Sequence, residues 1–164
     1  MKTVLAVVMA AVTIAWAAAR PATSADSAFQ QLRSLTGNWE GKDEEGSAVR
    51  ANFRVVAGNT AVLETLKHAD MEEMLTLYSV DGDFIALQHY CPTNNAPRMR
   101  ATPGAGQVKQ LVFEFQGAGN LPDSEIGHQH RLVIEFVDAN HVTERWTWRA
   151  KGKDTLMVFR FARK

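Results

Sequence analysis

The residues best suited to chemistry in this chain are histidines and carboxylates at alternating positions. His128-Gln129-His130 sets two imidazoles two residues apart. On a strand they share one face at about 7 Å, the spacing with which a strand supplies two metal ligands. His128 and His130 have the parity of Leu132, Ile134 and Phe136, which reads as the apolar face. Further along, Glu144 has the parity of Val142, Trp146 and Trp148. His89 goes with Ile85, Leu87 and Cys91, and Glu64 goes with Val62 and Leu66.

Several chemistries are open to such a set. His128 and His130, with His89 or Glu144 as a third ligand, would make a metal site, although no cysteine pair or H-E-x-x-H helix accompanies them. Glu144 facing His130 would make a general acid–base pair, and His130–Glu144 is the expected partnership across the hairpin. The plainer reading is that these histidines are structural groups satisfied near the mouth of a barrel. Cys91 lies two residues from His89 on the same face, which allows contact but does not suggest a triad.

A second candidate is the segment from Tyr90 to Arg100. Its two prolines and two asparagines describe a stiff polar loop, whose asparagines can simply bond their own backbone. Arg98 and Arg100, on one face of the segment that follows, have the chemistry to hold a carboxylate or phosphate. Trp146 and Trp148 are core aromatics that can also wall a cavity.

The elements that must position these residues are mostly strands. Ser27–Leu35 is the one predicted helix, with Asp26 or Ser27 as its cap and Gly37 ending it. Strands are expected around Trp39 and over Val49–Val56, Ala61–His68, Met71–Val80, Phe84–Cys91 and Arg98–Thr102. Four more follow at Val108–Gln116, His128–Val137, His141–Arg149 and Thr155–Phe161. Asp81-Gly82 is the strongest hairpin signal. Nine or ten short strands with no helices between them exclude a βαβ fold and predict an all-β, antiparallel, up-and-down barrel, with the helix across one end. Arg50, Arg54, Glu135 and Arg145 on the expected outer face argue against an outer-membrane barrel.

Residues 1–19 differ in kind. Lys2 precedes an apolar run that ends in Ala17-Ala18-Ala19, the pattern of a secretory signal peptide with cleavage between Ala19 and Ala25. Residues 26–164 are then one domain, exported to the periplasm or beyond, with no stable membrane span after processing. The whole chain balances 18 basic against 18 acidic residues. That balance offers no electrostatic reason to expect nucleic acid as a partner. Cys91 is the only cysteine, so packing and hydrogen bonds alone must hold the domain together.

Leu35-Thr36-Gly37-Asn38-Trp39-Glu40-Gly41 resembles the G-x-W start of calycin-type barrels, the lipocalin and fatty-acid-binding superfamily. As a whole the chain more closely resembles a group of small exported bacterial proteins of lipocalin-like type, poorly characterised in function. The resemblance lies in Tyr78-x-x-Asp81-Gly82-Asp83, in His89-Tyr90-Cys91 through Pro97-Arg98-Met99-Arg100-Ala101, and in Gly127-His128-Gln129-His130. It implies a barrel that binds a small hydrophobic molecule. The haem-binding nitrobindin type uses a histidine on a late strand. This chain lacks that type's extended glycine-rich start, so haem ligation is not carried over to His128, His130 or His141, and no cofactor is assigned.

The leading expectation is a cell-envelope protein binding a small molecule of mixed apolar and acidic character. His89, Arg98, Arg100, His128, His130, Glu144, Trp146 and Glu64 are its expected contacts. A metal-assisted or His–Glu acid–base enzyme, and a purely structural barrel, are the alternatives.

Overall fold

The computed structural model describes residues 23–164. The expected leader, residues 1–19, lies outside the described residues.

The chain enters through helix α1, Ser24–Arg33. It begins three residues before the apolar spacing predicts, because Thr23 and not Asp26 or Ser27 is the cap. The Thr23 hydroxyl accepts from the Asp26 N–H at 3.2 Å, and the Asp26 carboxylate accepts from the Thr23 N–H at 2.8 Å. This capping box satisfies two N–H groups that the first turn leaves without helical partners. Ala25, Ala28, Phe29 and Leu32 form the buried face of α1.

Ten strands follow: β1 Gly37–Lys42, β2 Ala48–Val56, β3 Ala61–His68, β4 Met74–Asp81 and β5 Phe84–Tyr90, then β6 Ala96–Ala101, β7 Gln110–Gly119, β8 His128–Phe136, β9 His141–Ala150 and β10 Lys153–Arg163. Each pairs antiparallel with its sequence neighbour, and β1 pairs with β10, so the sheet closes into an all-β, calycin-like up-and-down barrel. Closure leaves no strand edge exposed along the wall. At the β9–β10 turn Lys151 (φ 51°) and Gly152 (φ 68°) are both left-handed, as the tightest hairpin requires.

Period-two alternation divides the residues between core and surface. Val49, Ala51 and Phe53 of β2, Val62, Glu64 and Leu66 of β3, and Leu111 and Phe113 of β7 are buried inside. Arg50 and Arg54 are exposed outside, and Arg145 pairs with Glu135 across β8 and β9 at 2.8 Å. No helix among the described residues is long and apolar enough to cross a membrane.

The two ends of the barrel differ. One is closed by α1, which packs against β2, β4 and β5. Trp39 donates its indole N–H to the Leu35 carbonyl at 2.7 Å. The Arg163 guanidinium lies 4.2 Å over the Trp39 ring and donates to the Ser34 and Thr36 carbonyls at 2.8 Å each. At the other end lie the loops 43–47, 69–73, 91–95 and 120–127, of which 69–73 and 91–95 border a cavity.

Candidate ligand-binding site

A cavity of about 340 Å³ occupies the open end. Its walls come from Leu66 and His68 of β3, Met74 of β4 and His89 of β5. Trp146 and Trp148 of β9 and Met157 and Phe159 of β10 complete them, with Met71, Cys91, Pro92 and Thr93 at the loops. The volume falls in the range of small-molecule sites, and an apolar wall with few polar groups is their usual make-up. Such a barrel can accommodate a small molecule.

The polar groups on this wall are held from behind. His89 is 1% exposed, and its ring packs on Trp146 with centroids 4.7 Å apart. Its Nδ1 lies 2.9 Å from the Thr76 hydroxyl, while Nε2 has no protein partner. Burial pulls its pKa down to about 4, so the imidazole is neutral at neutral pH. Gln129 is 6% exposed, and its Oε1 also has no protein partner. His68 packs its ring 5.0 Å from Phe159 and pairs through Nε2 with Asp43 at 2.7 Å. Cys91 Sγ is 2.8 Å from the Thr93 hydroxyl.

Beneath the cavity lies a carboxyl pair. Glu64 and Glu144 each sit two residues deeper than a lining residue on the same strand, Leu66 and Trp146, and both are 0% exposed. Tyr78 donates to Glu64 Oε2 at 2.6 Å, and Trp146 Nε1 donates to Glu144 Oε2 at 2.9 Å. The remaining oxygens, the two Oε1 atoms, have no hydrogen-bond partner, and the two carboxyls lie close enough for their charges to interact. Two carboxylate charges in one dry core would both repel and lack solvation, so the pair must hold at least one proton. Burial first, and the neighbouring Glu144 second, push Glu64 well above the usual carboxylate range. Burial raises Glu144 to about 7. Register sets Glu64, Thr76 and His89 facing one another across β3, β4 and β5.

The expected His130–Glu144 pair does not form. The short turn between β8 and β9 sets Phe136 opposite Val142, and counting from there puts Glu144 opposite Ile134. A bulge then breaks the parity of β8. Gln129 pairs with Trp148 and Leu132 with Trp146, three residues against two, so His130 is the extra residue of the bulge. Gln129 takes the interior position that parity assigns to the histidines. His128 and His130 lie where the β7–β8 ladder has opened beyond Glu114–Arg131, packed on Phe115 with centroids 4.9 Å away, and neither lines the cavity. A metal site uniting them with His89 or Glu144 is likewise not assembled. No group of three His, Cys, Asp or Glu suited to a metal occurs among the described residues. His141, at the opposite end, pairs with Asp138 at 2.9 Å, so none of His128, His130 and His141 reaches the cavity.

Arg98 and Arg100 are also not in the interior. Both lie on the outer face of β6, where Arg100 pairs with Asp81 at 2.8 Å and covers the Phe84 ring. Of the expected contacts, His89 and Trp146 line the cavity, and Glu64 and Glu144 underlie it. Gln129, Thr76 and Tyr78 were missed. The last two share parity with Met74, but Leu75 and Leu77 on the outer face of β4 hide the alternation. Gln129 follows only from the bulge.

The two displaced histidines form a relay whose proton positions follow from its ends. Arg149 can only donate, and its Nη1 is 2.6 Å from His130 Nε2. His130 Nδ1 then donates to His128 Nε2 at 3.2 Å, and His128 Nδ1 donates to the Ile126 carbonyl at 2.8 Å. A proton added to either ring sets two donors against each other. Burial, Arg149 and His128 all hold the His130 pKa below its ordinary value of 6.5. The relay's stability is therefore present above pH 6.5 and is lost as pH falls below it. Amide hydrogen exchange in residues 120–130 is expected to accelerate between pH 7 and 5 beyond its intrinsic pH dependence. An Arg149→Ala variant should show fast exchange already at pH 7.

No protein-family model and no curated protein matches the chain. Among solved structures, it is similar to Rv2717c from M. tuberculosis at 15% identity, with a TM-score of 0.62, covering 84% of this chain and 97% of that one. It is also similar to a DUF3598-family protein of unknown function from Nostoc punctiforme, at 9% identity and a TM-score of 0.45, over 82% of this chain and 49% of that one. The first likeness shows the barrel fold.

Proposed function

We propose that this protein is a cell-envelope binder of a small, largely apolar molecule, held in the cavity at the open end of the barrel. The observation that carries this reading is the cavity itself. Two tryptophans, three methionines, a leucine and a phenylalanine surround about 340 Å³, with His89 Nε2 and Gln129 Oε1 as buried polar atoms lacking protein partners. A protein gains nothing in stability from such a space, because an apolar void forfeits packing and an orphaned polar atom forfeits a hydrogen bond. A bound molecule restores both. The expected acidic character of the ligand loses its motive, since Arg98 and Arg100 lie outside.

Native mass spectrometry of protein isolated from its own cell envelope is the test. One equivalent of a neutral small molecule is expected, lost in a Met157→Trp variant that fills the cavity. Protein that arrives empty, and whose tryptophan fluorescence responds to no apolar probe, would rule this reading out.

Export is supported by the leader-like residues 1–19 together with the start of the fold. Thr23 and Asp26 form the capping box and Ala25 is buried, so cleavage after Ala25 would remove part of α1, whereas cleavage after Ala19 would not. The secreted chain is expected to begin no later than Thr23.

A second reading, acid–base chemistry on the bound molecule, is favoured by register, which lines up His89 of the cavity wall, Thr76 and Glu64 of the carboxyl pair across adjacent strands. It predicts turnover that His89→Gln abolishes.

A further inference from the structure

We infer that the open end of the barrel is a charge-selective mouth, which admits apolar molecules that are uncharged or cationic and turns away carboxylates. The inference rests on the preceding reading that the cavity binds a small molecule, and it names which molecules can enter.

Charge is placed unevenly along the barrel. The whole chain balances 18 acidic against 18 basic residues, but the loops of the open end do not share that balance. Loops 43–47, 69–73 and 120–127 carry Glu45, Asp70, Glu72, Glu73, Asp123 and Glu125, all exposed. Asp43 and Glu44 are engaged by His68 at 2.7 Å and by Arg160 at 3.6 Å. No ion pair among the described residues engages the other six. Against them stands Lys151 of the β9–β10 turn, the one Lys or Arg among the described loop residues at this end. Lys42 and Lys153 lie at the open ends of β1 and β10, and Arg149 is taken up by Asp154 at 2.6 Å. A surplus of one sign around a low-dielectric opening focuses its field into that opening.

The acidic loops touch the cavity wall. Asp70 and Glu72 flank Met71, which lines the cavity. Asp43 pairs with the lining His68 and accepts the Glu45 N–H at 2.9 Å. Loop 120–127 is seated on the wall through Gly127, where a Cβ would collide with the Trp148 indole. The Gly127 carbonyl accepts from Asn95 at 2.9 Å, which ties this loop to loop 91–95.

The interior supplies nothing to offset the acidic mouth. The cavity is independent of these carboxylates: Trp146, Trp148 and Phe159 wall it, and the lining His89, 1% exposed, leaves Nε2 without a protein partner. No described lining residue is Lys or Arg, and Glu64 and Glu144 lie beneath. A carboxylate that entered would shed its hydration and meet no counter-charge. An ammonium is drawn in by the loops and meets aromatic rings, which attract a cation. An uncharged molecule escapes the repulsion altogether.

Three probes on one naphthalene frame separate charge from shape. In isothermal titration calorimetry at pH 7, 1-naphthylmethylamine, 1-naphthalenemethanol and 1-naphthoate offer a cation, an uncharged group and an anion to the full-length secreted protein. At about 0.02 M salt the amine and the alcohol are each expected to bind at least about tenfold more tightly than naphthoate. At about 0.5 M salt, screening should shrink the gap between amine and naphthoate several-fold, while the alcohol changes little. Asp70→Lys/Glu72→Lys/Glu73→Lys, which alters exposed side chains of one loop, should shrink the gap several-fold at low salt and leave the alcohol unchanged. Asp70→Asn/Glu72→Gln/Glu73→Gln should shrink it less, and serves alone if the lysine variant does not fold. Equal affinity for all three probes, or a gap that survives high salt or these variants unchanged, overturns the charge inference and leaves the binding reading intact. Preference for naphthoate also overturns it. Failure of all three to bind removes the binding reading itself, and the inference with it.

Discussion

Glu144→Gln is expected to abolish much of the loss of stability that the wild-type protein suffers as pH rises from about 4.5 through 7. The sign follows from the pair. Burial raises Glu144 in the folded protein above its ordinary value of 4.5 to about 7, so the fold prefers the protonated form. Stability from this group is fully present below pH 4.5 and is lost as pH rises through about 7. The difference corresponds to about 3 kcal/mol, a large part of a small domain's margin. Glu64, raised by the same burial, acts in the same direction. Glutamine keeps an oxygen for the Trp146 N–H and offers an amide hydrogen to Glu64, without a charge to desolvate. His89 acts oppositely, since its stability is lost as pH falls from 6.5 toward about 4. That contribution is common to both proteins and cancels in their difference. Urea unfolding at pH 5 and pH 9 should show the variant close to wild type at pH 5 and more stable by up to about 3 kcal/mol at pH 9. Parallel wild-type and variant stability–pH profiles would show that no shared proton is buried there.

The largest loss is expected from Trp146→Ala. Trp146 is 1% exposed, lines the cavity, packs on His89 and donates to Glu144 Oε2 at 2.9 Å. Truncation removes a buried indole, worth about 3–5 kcal/mol, and leaves a carboxyl oxygen without its donor, worth about 1–3 kcal/mol more. The sum approaches the whole stability of a small domain, so this variant should be largely unfolded at 37 °C. Trp146→Phe separates the two parts. It retains most of the packing and should cost about 1–3 kcal/mol. Because the indole N–H favours the charged form of Glu144, its removal should also move the carboxyl's proton release to higher pH. Denaturant unfolding across pH measures both. A Phe variant with wild-type stability and an unshifted profile would show that the Trp146–Glu144 bond contributes nothing.

The fold was legible to a degree the site was not. Ala61–His68 is a strand over the residues its alternation marks, and the other strands differ by a few residues at their ends. The helix starts at its capping box, Thr23-Ser24-Ala25-Asp26, which the apolar spacing of Phe29 and Leu32 does not mark. Glu64, Glu144, His89 and Trp146 were correctly given to apolar faces, yet the partnership drawn from them was wrong. Glu144 meets Glu64 of β3, eighty residues away by number and on the far side of the barrel from its hairpin neighbours.

Strand periodicity, turn chemistry and the absence of intervening helices determined an antiparallel barrel from the sequence alone, because those signals are local and each strand repeats them. The open-end cavity was decided only by the tertiary structure. Closure of β1 on β10 brought Glu64 and Glu144 together, and one extra residue in β8 exchanged His128 and His130 for Gln129 on the inner face. Parity carries face information only as far as the ladder is regular. A single bulge inverts every assignment beyond it, and nothing in His128-Gln129-His130 announces that the bulge is there.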